Sequence, residues 1–253
     1  MRAFDDLVAE AAAADVTGWG FEFLDGRAAE ERPWWGYVRQ QADALSQSEA
    51  ALDLDTGGGE VLAEALELAA RRPSATAATE GWEPNLLRAR SRLEPLGVRV
   101  AAAAPGEALP FAAGAFDLVT SRHPVAPDWA GTARVLASGG RYLAQHVGPA
   151  SAFELVEYFL GPQPEARKGR DPEREAEQAR AADLDVDELL TARCRMEFHD
   201  VGAVVWILRK CPWWVPDFTP ERYAAKLRAL DARLRREPFV AHSTRHLIRA
   251  TRR

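Results

Sequence analysis

Residues 52–60 read LDLDTGGGE. An apolar, strand-like run ends on a carboxylate, and three consecutive glycines follow almost at once. A loop without side chains between a strand and a helix lets the backbone close on a ligand. The surrounding chain sets that loop in a regular alternation. ALDLD, the weaker ATAATEG, VRVAAAA, AFDLVTSRH and RYLAQHVG are strand-like runs. EVLAEALELAARR, EPNLLRARSRLEPLG and WAGTARVLASGG are the helical stretches among them, the last stopping at Gly139 and Gly140. In the first helix Val61, Leu62, Ala65, Leu68 and Ala69 fall close to one face. Strands and helices in this rhythm predict a parallel sheet covered by helices.

The flanks are less regular. Residues 3–14 form an Ala-rich helical stretch, and Pro33 suits the first turn of a second one. Between and around them lie Trp19, Phe21, Phe23, Trp34, Trp35 and Tyr37. After Gly148 come the helical stretch ASAFELVEYFLG, a charged linker running into a solvated helix, and TARCRMEFHDV as a sixth strand. AVVWILRKCPWW reads as a helix. Tyr223, Leu227, Leu230 and Leu234 make one stripe of another helix, and FVAHSTRHLIRATRR closes as a strand able to pair antiparallel with the sixth. The expected divisions are an N-terminal helical lobe at 1–48, a core at 49–150, a helical insertion at 151–185 and the rest of the sheet at 186–253.

Composition removes several classes of function. The 253 residues are 47% hydrophobic, enough for a large core. A net charge of -6 disfavours a protein whose main work is gripping phosphate backbones, so nucleic acid is not the expected partner. Cys194 and Cys211 are the only cysteines, which suits reduced thiols in a cytoplasmic protein rather than a disulfide framework or a zinc site. Asp5, Asp6 and Glu10 interrupt what would have to be a secretory segment, and no apolar run is long enough to predict a membrane span.

Three ligands compete for the glycine loop. A P-loop requires a Lys after its last glycine, and none follows. The dinucleotide fingerprint requires a third glycine at position 62, where Leu62 stands. A nucleoside without a pyrophosphate remains. It calls for a second acid to meet a ribose diol, and Glu80 supplies one at the end of the second strand, 23 residues after Gly57. Trp82, just beyond, is placed to flank a purine.

At this point the chain resembles the class I S-adenosylmethionine-dependent methyltransferases. LDLDTGGGE, AATEGWEPN, LPFAAGAFDLVTSRH and ARVLASGGRYLAQHVG carry the likeness, in the family's order, over roughly residues 49–148. The resemblance implies a Rossmann-like three-layer α/β/α sandwich: a mostly parallel seven-stranded sheet with one antiparallel strand, plus the N-terminal lobe. It implies S-adenosyl-L-methionine as cofactor and S-adenosyl-L-homocysteine as product. Asp53, Asp55, Gly57, Gly58, Gly59, Glu80, Gly81, Trp82 and Arg122 inherit cofactor contacts. There are two departures. Asp55 replaces the family's first glycine; either its backbone is still β-like and its carboxylate attracts a cationic cofactor, or the position is strained. The acid that many relatives carry before LPF is missing, since Ala104 and Pro105 occupy that place and Glu107 comes later.

The expected acceptor is a small or medium-sized, partly apolar molecule. His123, after the fourth strand, is the candidate base, or else a loop histidine bonded to Asp128 or to the backbone. Arg122 is placed to orient an anionic substrate. Trp19, Trp34, Trp35, Tyr37 and His146 are candidates for the acceptor pocket, with Trp213 and Trp214 as a second wall; the alternative for the aromatics is ordinary core. Whether Gln145 or His146 faces the pocket depends on strand alternation. His199 and His242 read as structural, and Arg27 and Glu30 as weak candidates. The rival readings are an RNA methyltransferase and a non-methylating member of the fold.

Overall fold

The computed structural model describes residues 2–17, 20–104 and 106–253. Trp19 and Pro105 therefore lie outside the described residues. The chain forms two compact units. The larger comprises Pro33–Pro149, Arg170–Ala192 and Arg245–Arg253; the smaller comprises Met1–Arg32, Ala150–Gly169 and Arg193–Thr244.

The larger unit is built on β2 (Ala50–Leu54), β3 (Ala75–Glu80), β4 (Val98–Ala102), β5 (Phe116–Arg122) and β6 (Leu136–Val147). Their pairings β3–β4, β2–β3, β2–β5 and β5–β6 are all parallel. Two long strands, β7 (Leu184–Phe198) and β8 (Phe239–Arg252), divide their residues between the two units, and β8 runs antiparallel to β6. The order β7-β8-β6-β5-β2-β3-β4 is the expected seven-stranded sheet. Leu52, Leu118, Val119 and Ala144 are fully buried, as central parallel strands require. Helices α2 (Tyr37–Ser46), α3 (Glu60–Leu68) and α4 (Glu83–Leu93) bury Leu45, Leu62, Leu66, Ala89 and Leu93 in one cluster with Ala51, Ala78 and Leu118. Helices α5 (Trp129–Val135) and α7 (Pro172–Ala181) bury Trp129, Ala133, Ala176 and Ala179 in another with Leu52, Val119 and Ile248.

The smaller unit holds α1 (Phe4–Ala13), α6 (Phe153–Leu160), α8 (Val201–Lys210) and α9 (Ala224–Leu234). Helix α8 is apolar from Val201 to Leu208, and nine of its ten residues are buried. A helix of that composition forms the centre of a core. Asp200 caps it, accepting the Ala203 N–H at 2.8 Å, and Arg27 holds Asp200 through Nε at 2.8 Å. Phe23 stacks on Trp206 at 5.4 Å, so this part of the N-terminal aromatic cluster is core.

Four elements differ from the sequence expectation. Helix α2 begins at Tyr37, after Gly36 at φ 60°, so Pro33 lies ahead of the helix rather than in its first turn. A short strand, β1 (Ala28–Glu30), pairs antiparallel with Met196–Phe198 of β7 and adds an eighth strand. Three residues in a polar context give no readable alternation, so only the pairing creates it. Strand β7 starts at Leu184 rather than at 191. LDVDELL does carry a period of two, with Leu184 buried and Asp185 exposed, but its acids mask the apolar count. Finally, α5 stops at Val135 and the ASGG run lies within β6. Leu136 opposes Phe116, whereas Arg141 opposes Leu118, so the extra residues bulge from the ladder. The glycine stop signal is real, but what it punctuates is a bulge.

Candidate functional site

The larger unit gathers the glycine loop at the carboxyl ends of β2, β3 and β5. Thr56 donates its backbone N–H to the Thr79 carbonyl at 2.9 Å, which turns the chain away from β2. Glu80 then organises the loop. One of its carboxylate oxygens accepts the Gly57 N–H at 2.9 Å, and the other accepts the Trp82 N–H at 2.8 Å. Burial raises the Glu80 pKa, and these two N–H groups partly offset the shift. Arg92 of α4 caps the Gly58 carbonyl. Gly59 has φ 82°, and a Cβ there would stand 2.8 Å from the Leu93 side chain. Its glycine thus serves helix packing. A Gly59→Val substitution is expected to cost about 3 kcal/mol in a urea melt, from the left-handed backbone and the overpacking together; an unchanged midpoint would contradict it.

Asp55 has φ 53°. The extended conformation, under which a side chain would be harmless here, is not adopted. The position takes the left-handed conformation that glycine favours, and Asp is among the few other residues that tolerate it. Burial raises the Asp55 pKa, and the nearby Val125 backbone N–H works against the rise. Val125 belongs to the segment after β5, which passes close to Asp55.

A depression of about 470 Å³, counting space open to solvent, lies between these elements. Its enclosed part is narrow. Leu54, Ala103, Leu109 and Pro124 line it with apolar surface, while Asp55, Glu107 and Asp128 supply three carboxylates. Glu107 accepts the Ala104 N–H at 3.0 Å, which holds the β4 turn. Arg134 fixes the LPF segment by donating to the Leu109 and Phe111 carbonyls, both at 2.7 Å.

Asp53 takes a different place. It is buried and accepts the Thr120 hydroxyl at 2.6 Å and the Gln41 amide at 3.1 Å, tying α2 to β5. Burial pushes its pKa up to about 6, with the Thr120 and Gln41 bonds working against the rise. It is not among the residues that line the depression, and neither are Gly57, Gly58, Gly59, Glu80, Gly81, Trp82 and Arg122. Glu80 and the glycines form the loop at its edge. Trp82 and Arg122 are exposed at the surface.

The aromatic segment before α2 packs on the same edge. Tyr37 is buried and donates to the Ser121 carbonyl at 2.9 Å. Trp35 donates its indole N–H to Gln145 Oε1 at 2.8 Å, whereas Trp34 is 73% exposed. Because Gln145 Oε1 is engaged by a group that only donates, its amide nitrogen must face His123 Nε2, 3.1 Å away. His123 Nε2 therefore accepts, and its proton sits on Nδ1. Burial drives the His123 pKa well down, and the charges of Arg122 and Arg245 add to that. The ring is neutral, with its lone pair already used. Its partner is Gln145, not Asp128.

His146 points to the other side of β6 from Gln145. It is 2% exposed; its Nδ1 lies 2.6 Å from Glu175 Oε2 and its Nε2 lies 3.1 Å from the Tyr142 hydroxyl. Tyr142 lines the depression; His146 does not. Tyr142 shares the face of β6 that carries Ala144, two positions on, so alternation within RYLAQHVG is the signal that places it.

The remaining candidates belong to the smaller unit. Arg27 is engaged by Asp200, Glu30 accepts the Ser243 hydroxyl at 2.5 Å, and His242 pairs with Glu154 at 2.8 Å. Trp214 packs in the core of that unit, and Trp213 is exposed.

No protein-family model matches the sequence, and no curated protein does. Solved structures do match the fold. A candidate methyltransferase from Bacillus halodurans C-125 superposes with a TM-score of 0.57 at 18% identity, over 85% of this chain and 96% of that one. Geranyl diphosphate C-methyltransferase from Streptomyces coelicolor A3(2), solved with S-adenosyl-L-homocysteine, gives 0.50 at 16%, over 85% and 78%. The [4+2]-cyclase SpnF gives 0.51 at 15%, over 85% and 78%. With its parallel sheet, antiparallel β8 and glycine loop after β2, the chain has the class I S-adenosylmethionine-dependent methyltransferase fold.

Proposed function

We propose that this protein binds S-adenosyl-L-methionine in the depression beside the glycine loop and transfers its methyl group to a small or medium-sized molecule. The observation that carries the reading is the convergence of carboxylates on that depression. Asp55, Glu107 and Asp128 line it and Glu80 stands at its edge, an environment suited to a ligand with a sulfonium and an ammonium. The apolar Leu54, Ala103 and Leu109 offer a surface for the adenine. The residues present thus fit the cofactor that the fold implies.

In this reading Glu80 receives the ribose hydroxyls on the lone pairs that Gly57 and Trp82 leave open. Asp55 faces the cationic end. The cofactor supplies an already activated methyl group, so the protein's task is alignment of the acceptor. Trp35, Tyr37 and Gln145 hold the edge where the acceptor would enter, and His123 is a positioning group there rather than a base, since its lone pair is spent on Gln145.

Calorimetry tests this directly: S-adenosyl-L-methionine should bind, and absence of binding would end the proposal. The variant Asp55→Gly sharpens the test. It removes the left-handed strain, so its thermal midpoint should rise. It should also lose about tenfold in affinity for S-adenosyl-L-methionine but much less for S-adenosyl-L-homocysteine, which lacks the sulfonium charge. Equal losses for both ligands would remove Asp55 from charge recognition.

A second reading is a non-methylating member of the fold. It is favoured by the narrow enclosed space and by the Asp at a left-handed glycine position. SpnF, named a [4+2]-cyclase, shares this fold. Cofactor binding without methyl transfer to any tested acceptor would favour it. An RNA acceptor would instead show as salt-sensitive RNA binding.

A further inference from the structure

We propose that His146, Glu175 and His246 form a binding site for one divalent transition-metal ion, buried in the larger unit behind Tyr142. The site is independent of the methyltransferase reading. Three elements bring it together. His146 on β6 and His246 on β8 are register partners across the antiparallel ladder, and α7 supplies Glu175. His146 is 2% exposed and His246 is fully buried. One ligand atom from each residue, the two imidazole nitrogens and a carboxylate oxygen, lie within 4.8 Å of one another.

In the ion-free state two protons hold the cluster. His146 Nδ1–H and His246 Nε2–H both donate to the same Glu175 oxygen, at 2.6 and 2.9 Å. Coordination bonds of about 2.0–2.2 Å place neighbouring ligands roughly 3.0–3.4 Å apart, so an ion replaces the protons if the two contacts open by less than about 1 Å. The second carboxylate oxygen of Glu175 is available as a fourth donor. Each imidazole moves its proton to the other ring nitrogen, so no proton is lost overall. On His146 that nitrogen is Nε2, which already faces the Tyr142 hydroxyl at 3.1 Å. A metal-bound histidine whose far N–H is held by a neighbour is the usual arrangement. On His246 it is Nδ1, which is buried and has no hydrogen-bond partner.

The donor set selects the metal. Two imidazoles and a carboxylate suit Zn(II), Co(II) or Fe(II); Mg(II) and Ca(II) prefer all-oxygen sites, and both cysteines belong to the smaller unit. Burial makes the ion structural, pinning α7 to β6 and β8 behind the Tyr142 wall of the depression.

The test uses the full chain, stripped with a chelator and dialysed against Zn(II) or Co(II). The expected result is one ion retained per chain by mass spectrometry, visible Co(II) absorption bands, and a raised thermal midpoint. His246→Gln should abolish retention. Tyr142→Phe, which removes only the group behind His146, should weaken binding about 10–100-fold. Failure of the unmodified protein to retain either ion overturns the proposal, and so does undiminished retention in His246→Gln. Should His246→Gln not fold, Tyr142→Phe decides: unchanged affinity there counts against the site.

Discussion

Replacing Glu80 with alanine is expected to reduce S-adenosyl-L-methionine affinity by about 100-fold or more. Two hydrogen bonds from ribose hydroxyls to a carboxylate contribute about 1.5–3 kcal/mol each, and every 1.4 kcal/mol is tenfold. The same carboxylate holds the Gly57 and Trp82 N–H groups, so the alanine variant also loosens the loop that the ligand must meet. Glu80→Gln separates the two effects. Its amide oxygen still accepts one backbone N–H, yet the charge is gone, and an intermediate loss is expected. Calorimetry on the folded variants is the check. Wild-type affinity in Glu80→Ala would remove the ribose assignment while leaving the fold untouched.

The second large effect concerns Asp53 and pH. Its pKa stands at about 6 in the folded protein against 3.8 for the ordinary group. A carboxyl whose pKa is raised on folding stabilises the fold below its unfolded value, and that contribution is lost as pH rises through the folded one. The native state holds the proton more tightly, so stability falls between about pH 4 and pH 6. The full difference is about 3 kcal/mol at 1.36 kcal/mol per unit. Asp53→Asn keeps an oxygen to accept from Thr120 and Gln41 and removes the ionisation. The variant is therefore expected to gain on the wild type by up to about 3 kcal/mol as pH rises from 4 to 7, read from urea melts at several pH values. A constant gap across that range would show that Asp53 does not titrate in the window.

Much of this site could be read in the chain. The loop after β2, the acid ending β3 and the LPF segment before β5 are local features, each fixed by a strand end followed by a turn. Their spacing therefore survives into the fold, and Glu80 does meet Gly57. Other assignments rested on which way a side chain turns. Asp53 and Asp55 are two residues apart. Yet one is buried against Thr120 and Gln41, while the other sits in a left-handed turn. Gln145 and His146 are adjacent, and alternation sent the first to Trp35 and His123 and the second to Glu175.

By itself the sequence determined the layered α/β architecture and the place of the glycine loop, because hydrophobic period and glycine position act over a few residues. It could not determine the strand β1, the bulge in β6, the proton on His123, or the meeting of His146, Glu175 and His246. Those depend on groups far apart in the chain, such as Trp35 and Gln145, 110 residues apart, or Glu175 and His246, 71 apart. Only the paired sheet, with α7 packed against it, brings such groups within hydrogen-bond distance.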